Sequence, residues 1–367
     1  MTFIEERESI TQHSSENPLV LGEVLVLSDE SAKDASGRRF DRRDVVVGDE
    51  SDRDPATRQM YFEKANNFEM MLRLRPEWEA PYLDQHGKLI IDPSNLAALD
   101  LYYQDGQETQ MYEWGHQMMQ AIALEPLQNL GKGGRFLSLG RLDKRTLERF
   151  TFMPDGRGLR SRQHIYSNLL VEQARNTPGD TLNIVSLGSG AAVPNIEASL
   201  RIEQETNKRV NWQFFDLDPH ALGYAKVMIA GSGLHNSQFD FGPKSPNVNG
   251  LEFAGRSYIE ARHTEDESLD AVDALGLWEY LELNQAVMFL KMMYPKLKPG
   301  ASMIVSNMFD KRPHPEYNKR AVGWPRLIMR SEEDLLDIVE VAKIDTKAVR
   351  LTHSSDGVYI VMEIRKP

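Results

Sequence analysis

The apolar positions along the chain follow three successive patterns. Residues 1–55 are mostly polar, apart from one apolar stretch at Leu19–Leu27, and predict a mobile or loosely packed N-terminal arm. Residues 56–155 carry apolar side chains at helical spacing, as in the run from Ala56 to Leu74, and predict a mainly α-helical domain or cap. From residue 156 to 367, short apolar strands alternate with amphipathic helices, which predicts an α/β domain.

The alternation after residue 156 is typical of a parallel sheet with right-handed crossovers. Five strands are predicted in the segments TLNIVSL, VNWQFF, LEFAGRSYIEA, SLDAVDALGL and ASMIVSNM. Two further strands flank the turn at residues 354–357, and such a tight connection requires an antiparallel last strand. An all-parallel dinucleotide-binding sheet does not need that last strand, so the pattern disfavours a dehydrogenase.

Composition narrows the classes of partner. The chain has 55 acidic and 43 basic side chains and a formal net charge of −12, which disfavours a duplex nucleic-acid binder. It has no cysteine, and its nine histidines show no metal-ligand spacing. Neither a leader-like N-terminus nor a bilayer-spanning apolar run is evident. We therefore expect a cytoplasmic protein with a small-molecule substrate, no metal, no nucleic-acid or membrane partner, and an undetermined oligomeric state.

The clearest chemical signal is the sequence Gly188-Ser189-Gly190, which follows an apolar strand and precedes a helix. In this setting a glycine loop lets a ligand approach the backbone at a helix N-terminus, although a tight strand-to-helix turn is the simpler alternative. Asp216 ends the next strand, 28 residues after Gly188. A doubly wound sheet places such a carboxylate beside the loop, where it can accept both ribose hydroxyls of an adenosine. Asp218 is expected to cap the following helix.

These residues, with Lys298-Pro299-Gly300 before the fifth strand, resemble the class I S-adenosylmethionine-dependent methyltransferases over about residues 158–367. The resemblance implies S-adenosylmethionine as cofactor and a Rossmann-like seven-stranded sheet whose antiparallel last strand lies beside the fifth. Within that family the chain is similar to bacterial proteins of the 3-hydroxypalmitate methyl ester biosynthesis type. The matching segments are residues 158–162, 216–222, 275–281 and 330–336. This closer similarity implies a carboxyl or hydroxyl group on a small-molecule acceptor.

The resemblance also assigns candidate cofactor contacts. They are Gly188, Ser189, Gly190, Asp216, Leu217, Gly276 and Leu277. Two positions depart from the family pattern, because Ser186 stands where an acidic residue is common and Ala192 replaces the third glycine. Another group must then hold the methionine end of the cofactor. Arg160 and Arg162 are candidates for binding its carboxylate, with Tyr166 over the same end, whereas a solvated helix face is the alternative for both arginines.

The candidate catalytic residues are Tyr166, Tyr280 and Asn307. Tyr280 follows the fourth strand, next to Trp278 and Glu279, and Asn307 ends the fifth. Methyl transfer from a sulfonium needs a general base only when the acceptor must lose a proton. Residues such as Trp278 and Tyr280 are more often core or cofactor-lining residues than catalysts.

Three functions remain open from the sequence. The first is a small-molecule methyltransferase with the helical region as lid and acceptor pocket. The second releases methylthioadenosine from the same cofactor, by aminocarboxypropyl transfer or by cyclisation to azetidine-2-carboxylate. The third is a non-enzymatic scaffold, which the intact Gly188, Gly190 and Asp216 disfavour.

Overall fold

The computed structural model of the protein describes residues 19–118, 120–130, 135–234, 236–242, 244–248, 251–253, 258–324 and 326–367. Within these ranges nine strands form one mixed β-sheet, in the spatial order β1-β2-β8-β9-β7-β6-β3-β4-β5. The strands are β1 (Val24–Lys33), β2 (Arg39–Val47), β3 (Thr181–Leu187), β4 (Arg209–Phe215), β5 (Gln238–Asp240), β6 (Leu269–Ala274), β7 (Leu297–Met308), β8 (Val349–Ser354) and β9 (Tyr359–Arg365).

The strand directions match the predicted α/β architecture. Strands β3 to β7 run parallel where they pair. Strand β9 is antiparallel to both β7 and β8 and lies between them. The expected antiparallel last strand beside the fifth parallel strand is therefore confirmed. All the parallel strands end at the same edge of the sheet, which we call the carboxyl edge.

The predicted seven-stranded sheet is wrong in number, because the N-terminal segment adds β1 and β2. Strand β2 pairs in parallel with β8, and β1 pairs antiparallel with β2. Phe40, Val45 and Val47 are buried, so residues 24–47 are not the loose arm that the sequence predicted. Their charges are paired across strands, as in the 2.7 Å contact between Arg43 and Asp29. Charged side chains are common on sheet edges, which is why composition alone concealed these strands. Residues 1–18 of the predicted arm lie outside the described ranges.

The third parallel strand also differs from its prediction. It is the short β5, at residues 238–240, rather than the segment LEFAGRSYIEA. Residues Leu251–Phe253 of that segment pair instead with Lys244–Val248 in a small hairpin. An alternating apolar pattern marks both kinds of strand, and only the pairing partner distinguishes them.

Ten α-helices lie in the described ranges. They are α1 (Pro55–Leu74), α2 (Leu96–Tyr102), α3 (Gln110–Gly115), α4 (Glu125–Gln128), α5 (Lys144–Phe152), α6 (Pro154–Asn176), α7 (Val193–Thr206), α8 (Pro219–Ala230), α9 (Leu283–Met293) and α10 (Glu332–Val341). None of the helices in this part of the chain combines the length and apolar character needed to cross a bilayer.

Local capping explains several helix starts. The Asp218 carboxylate accepts a hydrogen bond from the His220 backbone N–H at 2.8 Å and begins α8, which confirms its predicted capping role. Ser331 and Asp334 form a reciprocal capping box at the start of α10. The sequence signals for these helix starts are local, so they could be predicted without knowledge of the fold.

Each face of the sheet is covered by helices. Helices α9 and α10 bury Phe289, Leu290 and Leu335 against one face. Helices α6, α7 and α8 cover the other face, with Leu169 and Ile202 in that core. Burial of apolar surface at about 25 cal/mol per Å² is the main favourable contribution of both layers.

A third core lies in the helical region, residues 55–152. Tyr102, Trp114 and Phe150 pack there with Met308 at the end of β7 and Tyr359 at the start of β9. Both of these strand ends lie at the carboxyl edge, so the helical region sits over that edge. The long helix α6 is shared between this core and the sheet.

A buried ion pair joins the N-terminal strands to α6. Arg160 Nε lies 2.5 Å from Asp49 Oδ2, and Arg160 Nη2 lies 2.9 Å from Asp49 Oδ1. Burial alone raises the pKa of Asp49, but the Arg160 guanidinium outweighs it and holds the pKa well below its usual range. The ion pair therefore stabilises the fold above pH 4 and loses this effect as the carboxylate is protonated in stronger acid.

We predict that Asp49→Ala lowers the free energy of unfolding by about 3 kcal/mol, because it leaves a buried guanidinium without its main counter-charge. The matched change Asp29→Ala removes the more exposed partner of Arg43 and should cost under about 1 kcal/mol. Urea denaturation at pH 7 measures both values. Equal losses for the two variants would contradict the structural role of the buried pair.

Candidate functional site

The connection from β3 to α7 forms a bend of left-handed residues. Gly188, Gly190 and Ala192 have φ angles of +65°, +55° and +57°. The backbone N–H groups of Gly188 and Ser189 donate to the carbonyl of Phe215, at 2.7 and 3.3 Å. The glycine bend, residues 188–192, is thus tied to the end of β4. The Ser189 Oγ is buried there without a hydrogen-bond partner in the described structure.

Asp216 lies directly against the glycine bend. Its Oδ2 accepts a hydrogen bond from the Gly190 N–H at 2.9 Å, and its Oδ1 accepts one from the Asp218 N–H at 2.9 Å. The sequence predicted this juxtaposition. Each carboxylate oxygen has a further lone pair available to a ligand. Burial raises the pKa of Asp216, although the backbone N–H donors oppose that shift. The next residue, Leu217, is 68% exposed at the same edge.

The residues after β6 pack against the glycine bend. A Cβ placed on Gly188 would lie 3.1 Å from the Leu277 Cβ, and one placed on Gly276 would lie 3.9 Å from the Gly188 carbonyl oxygen. Gly188 is therefore required both for its backbone conformation and for its close approach to Leu277. The predicted cofactor contacts around the bend, residues 188–190, 216–217 and 276–277, therefore lie close together at the carboxyl edge, and we call this group the bend site.

A buried polar network lies beneath the bend. Asp273 on β6 is opposite Ser186 on β3, and its Oδ1 accepts a hydrogen bond from the Ser186 hydroxyl at 2.9 Å. Its Oδ2 accepts from the Tyr166 hydroxyl at 2.8 Å and from the Asn195 amide at 3.2 Å. Burial raises the pKa of Asp273 to about 7, against the effect of these donors. The acidic group absent at position 186 is thus supplied in space by the neighbouring strand.

This network corrects the assignment of Tyr166. Its side chain is fully buried, and its hydroxyl donates to Asp273 while accepting from Asn195 at 3.1 Å. The ring therefore cannot face an acceptor or lie over a bound cofactor. Tyr166 is buried because it lies on the side of α6 that faces the sheet. The helical spacing indicated this side, but it could not show whether the side chain belongs to the core or to a site.

Arg160 and Asn307 were also predicted as site residues, and both are wrong for the same reason. The five N–H groups of Arg160 donate to Asp49 and to the carbonyls of Leu127, Phe150 and Thr151. The Asn307 amide donates to the Met308 and Ile328 carbonyls and accepts from Arg330 at 2.7 Å. With their hydrogen-bonding groups used by the protein, both side chains hold the fold together.

A cavity of about 40 Å³ adjoins the bend site at Gly276 and is lined in part by side chains of the helical region. Its wall is mostly apolar and includes Trp114, Leu127, Met153, Leu159, Met308 and Trp324. The polar side chains that line it are Asp155, Arg162, Glu279, Tyr280 and Asn318. A concave apolar pocket with few polar groups is the usual form of a small-molecule site.

Two predicted residues, Arg162 and Tyr280, line this cavity. Arg162 is buried, so the alternative of a solvated helix face is wrong for it. Its Nη1 donates to the Leu275 carbonyl at 2.9 Å, and its Nε has no hydrogen-bond partner in the described structure. The Tyr280 hydroxyl accepts from Trp324 Nε1 at 3.1 Å. Burial and the nearby Glu279 raise the pKa of Tyr280 to about 12, so it stays protonated near neutral pH.

No role for Asp155 followed from the sequence, whereas Glu279 was one of the candidates named after the fourth strand. Asp155 lies in the first turn of α6, where its carboxylate contacts Arg312 at 2.6 Å and accepts from the Asn318 amide at 2.8 Å. These partners are more than 150 positions away in the chain, so no local motif marks them. The signal for Glu279 was its place three residues after Gly276, and its burial became evident only in the structure.

Comparison with known proteins found no matching family model and no matching curated protein. Among solved structures, the chain is similar to a possible exported protein from Bordetella parapertussis, with 17% identity, a TM-score of 0.44, and coverage of 76% of this chain and 100% of that chain. It is similar to the S-adenosylmethionine-dependent methyltransferase SibL, with 15% identity, a TM-score of 0.40, and coverage of 74% and 73%. Magnesium protoporphyrin IX methyltransferase from Synechocystis PCC 6803 shows 12% identity, a TM-score of 0.39, and coverage of 58% and 87%.

We predict that Gly188→Ala destabilises the protein more than Gly140→Ala does. Both glycines have nearly the same φ, +65° and +67°, but a Cβ at Gly140 meets nothing within 4 Å. Left-handed strain should cost about 1 kcal/mol at each site, and displacement of Leu277 should add about 1–3 kcal/mol at Gly188. Denaturant unfolding of both variants gives the difference directly. Equal costs would show that Leu277 does not constrain the bend.

A second prediction concerns Asp273. Its folded-state pKa of about 7 exceeds the unfolded value of about 4, so the folded state favours the protonated carboxyl group. The resulting contribution to the free energy of unfolding is greatest below pH 4 and is lost as the pH rises to 7. Relative to wild type, Asp273→Asn should therefore gain stability between pH 4 and 8, by on the order of 4 kcal/mol at most. Asp266→Asn, at a mostly exposed carboxylate, is the control. If the difference in free energy of unfolding between wild type and Asp273→Asn does not change with pH, this prediction is refuted.

Proposed function

We propose that this protein is an enzyme that binds S-adenosylmethionine at the carboxyl edge and transfers its methyl group to a small molecule. The observation that carries the proposal is the 2.9 Å hydrogen bond from the Gly190 N–H to Asp216 Oδ2. It joins a glycine bend at a helix N-terminus to a carboxylate on the next strand, the pair that recognises an adenosine in doubly wound sheets. The sequence resemblance to class I methyltransferases supports the same cofactor.

The bend site has features that suit this cofactor. Asp216 would accept from the ribose hydroxyls, since its carboxylate retains free lone pairs. The exposed Leu217 and the partly buried Leu277 offer apolar contacts to the adenine. The Ser189 hydroxyl is buried without a hydrogen-bond partner in the described structure, and the backbone at Gly188 packs closely against Leu277. When bound, the cofactor would supply an activated methyl group on sulfur.

The chain's own task is then to position the acceptor and to exclude water. The cavity adjoins the bend site at Gly276, and Trp114 and Leu127 of the helical region line it, which supports a role of that region as a cap. The acidic chain favours a small acceptor over a nucleic acid. An acceptor with a carboxyl or hydroxyl group follows from the sequence similarity to 3-hydroxypalmitate methyl ester biosynthesis proteins.

The alternative reaction, release of methylthioadenosine, loses part of its rationale. It depended on an altered methionine pocket formed by Ser186, Arg160, Arg162 and Tyr166. Of these, Arg162 lines the cavity, and its Nε has no hydrogen-bond partner in the described structure. Arg160 and Tyr166 use their hydrogen-bonding groups on Asp49 and Asp273, and Asp273 provides a carboxylate beside Ser186. We therefore favour methyl transfer.

We predict that Asp216→Asn weakens binding of S-adenosylhomocysteine by about 10- to 100-fold, as expected for loss of hydrogen bonds to a charged group. Asp218→Asn is the matched control, because asparagine preserves the cap of α8, and it should change affinity by less than about threefold. Isothermal titration calorimetry measures both. Undiminished affinity in Asp216→Asn would overturn the ribose assignment.

The products of turnover separate the two reactions. Mass spectrometry after incubation with S-adenosylmethionine and a mixture of small acceptors should detect S-adenosylhomocysteine. Methylthioadenosine formed without any acceptor would instead support the alternative.

A further inference from the structure

Glu279 is a buried carboxylate with unused hydrogen-bonding capacity. It lies three residues after Gly276, is only 4% exposed, and lines the cavity with its side chain. In the described structure its carboxylate accepts one hydrogen bond, a long contact of 3.4 Å from Arg162 Nη1. A carboxylate offers several lone pairs, so most of the acceptor capacity of Glu279 is open to a ligand.

Two other buried carboxylates near the bend site are held more strongly. Asp273 accepts hydrogen bonds from three side chains in the network beneath the bend. Asp155, which also lines the cavity, contacts Arg312 at 2.6 Å and accepts from the Asn318 amide at 2.8 Å. Of these three carboxylates, Glu279 is therefore the one best able to bind an incoming donor.

Arg162 adds an unused donor next to this carboxylate. The residue is 2% exposed and lines the same cavity. Its Nη1 donates to the Leu275 carbonyl at 2.9 Å and to the Ser306 hydroxyl at 3.3 Å, whereas its Nε has no hydrogen-bond partner in the described structure. A buried N–H group without a partner is costly, which a ligand that accepts from it would relieve.

The size and the charges of the cavity indicate a small zwitterionic group. A buried water needs about 10–15 Å³, so a cavity of about 40 Å³ holds on the order of three water-sized groups. The ammonium and the two carboxylate oxygens of an amino acid have this size, and a single carbon carries both charges. Arg162 and Glu279 likewise place opposite charges in contact. The cavity adjoins the bend site at Gly276, so this group can belong to the ligand whose nucleoside lies beside Asp216.

We propose, on the basis of the function proposed above, that Glu279 and Arg162 together bind the amino-acid end of S-adenosylmethionine. The ammonium of this end donates to the Glu279 carboxylate, and its carboxylate accepts from the Arg162 Nε–H. Both contacts are charge-assisted hydrogen bonds, which are stronger than those between neutral groups. The two side chains thus take the place of the acidic residue that is absent at position 186.

The first test measures how each charged group of the ligand contributes to binding by the full-length wild type. Calorimetry compares S-adenosylhomocysteine with a deaminated analogue that ends in a carboxypropyl group, a decarboxylated analogue that ends in an aminopropyl group, and methylthioadenosine, which lacks both groups. Each single deletion should weaken binding by about 10- to 100-fold, as expected for a hydrogen bond to a charged group. This comparison needs no variant, so it does not depend on the folding of any mutant.

The second test assigns each charged group to its side chain. In Glu279→Gln, S-adenosylhomocysteine and the deaminated analogue should bind within about threefold of each other, because the partner of the ammonium is gone. In Arg162→Gln, the same should hold for S-adenosylhomocysteine and the decarboxylated analogue. Both variants should bind methylthioadenosine as the wild type does, since this ligand reaches neither side chain. Glu113→Gln, an identical change at an exposed position of α3, should keep the wild-type affinity for all four ligands.

Two results would overturn the inference while leaving the proposed function intact. The first is equal affinity of the wild type for S-adenosylhomocysteine and methylthioadenosine, because the nucleoside alone would then account for binding. The second is a parallel loss of affinity for all four ligands in Glu279→Gln and Arg162→Gln, which would assign these side chains a purely structural role. Failure of the wild type to bind any of the four ligands would instead overturn the proposed function itself, and this inference with it.

Discussion

The parallel register of β3, β4 and β6 is the constraint on which the site depends. Leu187 is paired with Phe215, and Ser186 with both Phe214 and Asp273, so three strands end at nearly the same level. The chain leaves each strand at one edge and there forms the glycine bend, the Asp216 turn and the segment after β6. A shift of one residue in any of these strands would move its side chains to the opposite face of the sheet.

This register also divides polar groups between two levels. Beneath the bend, Asp273, Ser186, Asn195 and Tyr166 satisfy one another in a closed network. Above it, Asp216 and Ser189 keep unused hydrogen-bonding capacity. A satisfied network makes the strand ends rigid, whereas unsatisfied groups at the edge are available to a ligand. The helical region then encloses the cavity next to this edge.

Sequence reasoning succeeded where the signal is local. The glycine bend, the carboxylate of Asp216, the Asp218 cap and the antiparallel last strand each depend on neighbouring residues or on a simple alternation. It failed where the partner is distant in the chain. Arg160 was predicted to bind a ligand, but its guanidinium binds Asp49. Asn307 was predicted to be catalytic, but its amide oxygen binds Arg330. The hydroxyl of Tyr166 binds Asp273, which is 107 positions away in the chain, so the sequence could not show that this tyrosine is part of a buried network.

The same difference between local signals and distant partners explains which parts of the fold could be predicted. Strands β1 and β2 carry paired charges whose partners lie on adjacent strands, so their composition resembled that of a loose segment. The short β5 and the hairpin at residues 244–253 differ in pairing rather than in pattern. For Glu279 the position near Gly276 was evident from the sequence. The sequence could not show that the carboxylate has only a long hydrogen bond from Arg162 in the described structure.

The most direct test of the central claim is a crystal structure of the protein with S-adenosylhomocysteine. The account predicts both ribose hydroxyls within hydrogen-bonding distance of the Asp216 carboxylate, with the sulfur directed past Gly276 toward the cavity. A nucleoside bound elsewhere, with Asp216 still paired only to the backbone, would contradict it.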